Sequence, residues 1–170
     1  MVPSRRRIAS ALCLLIGVSI TAYLRIHFGS AGPHSRPRIG EPLPPLKVDA
    51  SGVAVDLNKF TAAGKSVIVF YSPSCRICRE TLPALRPFPS TLRLIMVSES
   101  QAREDSVTLD IPNAMFFYDR WNVLTRSFAS TGLPTIVFVD EGGILRDGLV
   151  GWHELELVQR KLAEFAARRY

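Results

Sequence analysis

The stretch Val67-Ile68-Val69-Phe70-Tyr71-Ser72-Pro73-Ser74-Cys75-Arg76-Ile77-Cys78-Arg79 decides how the rest of the chain is read. Five apolar residues rich in β-branched side chains predict a strand, and Ser72-Pro73-Ser74 ends it. Residues from Cys75 to about Pro87 then predict a helix, kinked at Pro83 because proline removes a helix hydrogen bond. A strand feeding a helix puts Cys75 at the helix N-terminus, where free amides and the dipole favour an anion. The first thiol is therefore expected to ionise more readily than a free one, with Arg76 and Arg79 pushing the same way. Cys78 follows almost one turn later, within reach for a disulfide. The pair reads as a redox dithiol.

Two other readings of the pair stay open. Cysteines at this spacing also make half of a zinc site, but zinc wants four ligands, and beyond this pair the chain has only Cys13, His27, His34 and His153 among thiols and imidazoles. Inert cysteines are the third possibility.

Charge divides the chain sharply. The formal net charge is +6, and Arg5, Arg6, Arg7, Arg25, Arg36 and Arg38 are the only ionised side chains before Glu41, so the remainder carries 15 basic and 15 acidic residues. Basicity confined to one end gives no reason to expect nucleic-acid binding by the domain. It points instead to a membrane. Ile8 to Leu24 holds 17 uncharged, mostly apolar residues behind the arginine triplet, short for a spanning helix and long for a signal-peptide core. Residues 1–7 are read as a basic N-terminal segment and 8–24 as a single transmembrane signal anchor. A cleaved signal ending near Ala31 and a buried helix are the alternatives. Ser10-Ala11-Leu12 before Cys13 is not a lipobox. The arginine cluster orients the N-terminus inward, with the domain facing the periplasm or cell exterior, where disulfide chemistry belongs.

Residues 25–45, with Pro33, Pro37, Pro42, Pro44 and Pro45, read as an extended spacer, and residues 46–170 as the domain. Leu46-Lys47-Val48 and Val53-Ala54-Val55 predict a small hairpin. Apolar runs at Val67 to Tyr71, Leu92 to Val97, Ala114 to Tyr118 and Ile136 to Val139 lack strict alternation, as in strands covered on both faces. Asp140-Glu141-Gly142-Gly143 predicts a turn into a strand from Ile144 to Val150. Trp121 to Ser130 predicts a short helix. Glu154 to Arg168 predicts a longer one, with Leu155, Val158, Leu162 and Phe165 on one stripe. Trp152 and His153 read as packing or surface. The fold class is α/β, a mixed central sheet flanked by helices.

The anchor, the spacer, Gly40-Glu41-Pro42, Gly64-Lys65, Cys75-Arg76-Ile77-Cys78, Pro83 and Gly132-Leu133-Pro134-Thr135 together resemble the thioredoxin superfamily, in its TlpA/ResA/CcmG branch of membrane-anchored thiol-disulfide oxidoreductases. The likeness spans about residues 39 to 168. It implies a thioredoxin-like fold and Cys75 as nucleophile, Cys78 as resolving thiol, with Arg76 and Ile77 as the intervening site residues. It also implies a cis bond before Pro134, a substrate backbone lying along Leu133 and Pro134, and no metal or organic cofactor. The implied partners are a client protein carrying thiols or a disulfide, as in cytochrome c maturation, and a second redox protein that resets the pair.

Three positions depart from the pattern. Ser74 stands where many relatives carry tryptophan, and Thr81 where the ResA branch carries a glutamate that moves the proton of the buried thiol. Glu80, one residue earlier and turned by about 100°, reads as a solvated helix residue. The segment from Ser98 to Asn113 is short for the family insert. The Ser72 to Cys75 lead-in and the missing glutamate also resemble MauD-type maturation proteins, which form disulfides in a periplasmic dehydrogenase. Rival functions are a peroxiredoxin-like peroxidase, although Ser72 replaces its usual threonine, and a non-catalytic metal carrier or interaction module.

Overall fold

Six consecutive residues that leave no polar face can be stable only where both faces of the strand are covered. In the computed structural model, which describes residues 37–50, 52–99, 114–119 and 132–170, β3 (Ser66–Tyr71) is buried at every position. It lies between β4 (Arg93–Ser98), to which it runs parallel, and β6 (Thr135–Val139), to which it runs antiparallel. Beyond β4 comes β5 (Met115–Tyr118), also parallel, and beyond β6 comes β7 (Leu145–Val150), antiparallel. A hairpin of β1 (Lys47–Ala50) and β2 (Val53–Asp56) joins the other edge through Asp49 opposite Tyr118. The result is a seven-stranded mixed sheet in the order β2-β1-β5-β4-β3-β6-β7.

Each face of this sheet carries its own core. On one, Val67, Val69, Leu94, Met96, Ile136 and Phe138 meet α2 (Arg76–Thr81), the 3₁₀ turn Leu82–Leu85 and α3 (Leu155–Ala167). On the other, Ile68, Phe70, Ile95, Val97 and Val137 are covered by Leu43, Leu46 and Leu57, with the ring of Phe60 of α1 (Asn58–Thr61) tilted against that of Phe117 at 5.0 Å. Lys65 ties α3 to the start of β3. Its ammonium donates to the carbonyls of Phe165 and Ala166 at 3.1 and 3.0 Å, and also to that of Arg168. A cation among the unpaired carbonyls of a helix C-terminus is favourable for both charge and hydrogen bonding.

Four expectations change. Residues 40–45 are part of the domain and not spacer. Gly40 N–H donates to Leu145 O, Leu43 N–H to Gly143 O, and Leu43 is buried, because an apolar side chain beside an unpaired strand edge supplies both contacts. The helix after Cys75 does not bend at Pro83. It stops at Thr81 and tightens into the 3₁₀ turn, with Pro83 in its first positions, where a missing N–H costs nothing. The stripe of α3 begins one turn later than predicted, since Leu155 is exposed while Val158, Leu162 and Phe165 are buried. Helix α1 was not expected at all. The predicted helix 121–130 and the apolar segment 8–24 lie outside the described residues, and among those described no helix is long and apolar enough to cross a membrane.

Leu162, 1% exposed between α3 and the sheet, is the test of this packing. Leu162→Ala is expected to lower the stability of the folded domain by about 2–5 kcal/mol. Urea unfolding followed by circular dichroism measures it.

Candidate functional site

The chain leaves β3 through a tight turn. The Cys75 amide donates to Ser72 O at 3.1 Å, and the Ser72 and Ser74 hydroxyls pair at 2.9 Å. Cys75 has extended backbone angles (φ −75°, ψ 114°) and caps α2. Where serine or aspartate would use an oxygen, its sulfur accepts the Cys78 N–H at 3.2 Å. On its other side Cys75 Sγ lies 3.8 Å from the carbonyl oxygen of Leu133. The Leu133–Pro134 peptide bond is cis. Gly151, with φ +81°, turns the chain out of β7 and donates its N–H to Pro134 O at 2.8 Å. Gly151 therefore lies beside the proline, although it is far from the dithiol in sequence.

The two unbridged thiols sit in different surroundings. Cys75 is half-buried, whereas Cys78 has no exposed surface and packs into the core under α3. Burial pushes the Cys78 thiol up to about 12. Its hydrogen bond to Cys75 and the charges of Cys75 and Glu99 add to the rise, and a backbone hydrogen bond from Ser72 opposes it. An attacker that needs its anion and a partner that keeps its proton are thus held three residues apart.

The remaining site residues fall into place around this pair. Arg76 is exposed and pairs with Glu80 at 3.6 Å, and Arg79 donates to Pro73 O at 3.1 Å, so both guanidinium groups are engaged away from the sulfurs. Ile77 is 38% exposed and Leu133 half-buried; they flank the accessible sulfur with apolar surface. Glu80 is exposed at the surface of α2, as a solvated residue should be. Thr81 is buried with its hydroxyl unpartnered. Sequence reasoning missed Tyr71 at the end of β3, Ser98 at the end of β4, which hydrogen-bonds Tyr71, and Glu99 just after it, whose charge acts on Cys78. Tyr71 closes an apolar run and was counted as core; only the pairing of strands brings the three together. Among the described residues no three His, Cys, Asp or Glu side chains gather as a metal site.

The fold has counterparts among solved structures. The chain has a thioredoxin-like fold. A DsbE thiol:disulfide interchange protein from Chlorobium tepidum superposes with a TM-score of 0.63 at 16% identity, over 77% of this chain and 99% of that one. The thioredoxin domain of a Bacteroides vulgatus thiol-disulfide oxidoreductase gives 0.56 at 20% identity, over 76% and 98%. A secreted Mycobacterium tuberculosis disulfide oxidoreductase homologous to DsbE gives 0.57 at 14%, over 70% and 95%. No protein-family model and no curated protein matches the sequence.

Because alkylation consumes thiolate, iodoacetamide should label Cys75 of the reduced protein at neutral pH and spare Cys78. Labelling of Cys78 is expected to grow only as pH climbs towards about 12, or at neutral pH once urea exposes it. Mass spectrometry of the tryptic peptides distinguishes the two sites.

Proposed function

We propose that the chain is a thiol-disulfide oxidoreductase working through Cys75 and Cys78. The observation that carries this is the position of Cys75 Sγ, held by the Cys78 amide at 3.2 Å and facing the Leu133 carbonyl at 3.8 Å, with Cys78 buried directly behind. Cys75, as thiolate, attacks one sulfur of a client disulfide and releases the other as a thiolate. Cys78 then attacks Cys75 Sγ, forming the intramolecular disulfide and releasing the second client thiol. Two client thiols are gained and two enzyme thiols lost, and a second redox protein restores them. Run backwards, the same steps oxidise a client. The Leu133 backbone beside the cis-proline would take an extended client backbone next to Cys75 Sγ, and Arg76 and Ile77 would form the rim it touches.

The test uses the full chain. Cys75→Ser should reduce turnover of a disulfide client at least about a hundredfold, while Cys78→Ser should form a mixed disulfide that persists on a non-reducing gel. Wild-type thiols that never cycle against glutathione would sink the reading. Direction follows from the reduction potential. A value below about −250 mV makes the protein a reductant suited to apocytochrome c, and one near about −150 mV an oxidant suited to a dehydrogenase subunit.

We infer further that residues 8–24 anchor the chain in the cytoplasmic membrane, with the domain outside. The support is the uncharged stretch behind Arg5, Arg6 and Arg7. Expressed in a bacterial host, the chain should stay in carbonate-washed membranes and its domain should be digested by protease added to spheroplasts. Removal of residues 1–28 should release it from the membrane fraction.

A further inference from the structure

The dithiol motif holds two arginines that the separation of the thiols does not use. Burial and the charges of Cys75 and Glu99 raise the Cys78 thiol, and neither guanidinium acts on it. Arg79 is engaged elsewhere, donating to Pro73 O at 3.1 Å across the turn that leads into α2. Arg76 is held far less. Its side chain is 81% exposed, and its Nε lies 3.6 Å from Glu80 Oε1, beyond a hydrogen bond. An exposed pair between one turn of helix and the next contributes little in water, so Glu80 is readily exchanged for another carboxylate.

The chain around the reactive sulfur is mainly positive. From Ser72 to Arg86 it carries Arg76, Arg79 and Arg86 against Glu80, and all four are exposed. The first turn of α2 contains no acidic residue. Glu99 acts on the buried Cys78 and is itself half-buried. Cys75 Sγ also faces Leu133, whose carbonyl oxygen stands 3.8 Å away, followed by Pro134, and neither residue is charged. A client therefore meets Cys75 between an uncharged backbone step and a basic helix.

In the mixed disulfide a client sulfur is bonded to Cys75 Sγ. The residues on either side of the client cysteine, each about 3.8 Å from it along the backbone, then come within reach of the long side chain that follows Cys75. We propose that Arg76 selects clients with an aspartate or glutamate next to the attacked cysteine, its guanidinium leaving Glu80 for the client carboxylate. The inference rests on the exchange reading above and names the client class for it. A planar guanidinium can hold a carboxylate through two parallel hydrogen bonds, a geometry that Glu80, met through Nε alone, does not use. A carboxylate beside a disulfide repels an incoming thiolate, so such a client is a poor target for small anionic thiols. Arg76 offsets that repulsion at the point of attack, and the basic residues around it raise the rate of encounter. Arg76 makes no bond in the exchange itself; it determines specificity.

The experiment offers the reduced full chain an excess of either of two peptides, each with one internal disulfide, that differ only in carrying aspartate or lysine on both sides of each cysteine. Peptide that becomes attached to the protein or reduced is counted by mass spectrometry after acid quenching. Each rate is divided by that of dithiothreitol with the same peptide, which removes the intrinsic reactivity of the disulfide. Wild type is expected to favour the aspartate peptide about fivefold or more at about 0.02 M salt, and the preference should shrink at about 0.5 M. Arg76→Gln should remove most of it, Arg76→Glu should reverse it and Arg76→Lys should keep part of it. Glu80→Gln, which frees Arg76 from its partner, should enlarge it. A merely structural role would change both rates together and leave their ratio alone. A wild-type ratio of one, or a ratio left at the wild-type value by both Arg76→Gln and Arg76→Glu, overturns the role of Arg76. A wild-type protein that reacts with neither peptide overturns the exchange reading instead.

Discussion

Burial of β3 on both faces is the constraint from which the rest of the structure follows. With Val67, Val69 and Tyr71 facing one core and Ile68 and Phe70 the other, the strand needs a layer on each side. Helix α3 and the turn around Leu82–Leu85 supply one, and the segment from Leu43 to Phe60 the other. A strand so enclosed cannot shift by one residue without reversing which side chains meet which core. Its last residue is therefore fixed, and with it the turn Ser72-Pro73-Ser74 and the place of Cys75. The precision of a reactive sulfur thus begins in an apolar core several residues upstream.

The same enclosure divides the two thiols. A sulfur at a helix cap is at the surface, and one nearly a turn later on the inward side is not, so Cys75 is reachable and Cys78 is buried. Loss of solvation is the largest cause raising the second thiol, the hydrogen bond to Cys75 and the charges of Cys75 and Glu99 add to it, and the Ser72 backbone restores part of what burial removes. Positive charge contributes little here. Arg76 and Arg79 stand within the motif, yet one is an exposed partner of Glu80 and the other is bonded to the Pro73 carbonyl. Exposed ion pairs of this kind are weak in water. What separates the sulfurs is depth, not the arginines.

How much of this was legible in the sequence depended on whether a feature is local. Strands at Val67 to Tyr71, Leu92 to Val97 and Ile136 to Val139 announced themselves as unbroken apolar runs, and the structure moves their ends by a residue at most. The dithiol turn was readable for the same reason, since cap, spacing and helix start lie within a few residues. Pairing between strands is not local. Nothing in Tyr71 alone says that Ser98 and Tyr118 stand beside it, and nothing in Gly151 says that it bonds Pro134. The spacer was drawn too long because prolines at 42, 44 and 45 mask Leu43, a residue that a core claims. Leu155 failed the other way, an apolar residue on the right stripe but one turn before the helix meets the sheet.

Identities of 14–20% to structures of the same fold fit this division of labour. A two-sided core asks only for apolar side chains of about the right volume, and many combinations of Val, Ile, Leu, Met and Phe meet that demand. Most of the chain is therefore free to change. The site is not, because its requirements are geometric: a sulfur that caps α2, a second sulfur three residues on, and a backbone carbonyl within 3.8 Å of the first. Even here the demand falls on position more than on side-chain identity. Ser74 and Thr81 do not themselves set the sulfurs, because both sulfurs are placed by the end of β3 and the first turn of α2. A chain built in this way can exchange the residues that tune its dithiol while the frame that holds the dithiol stays the same.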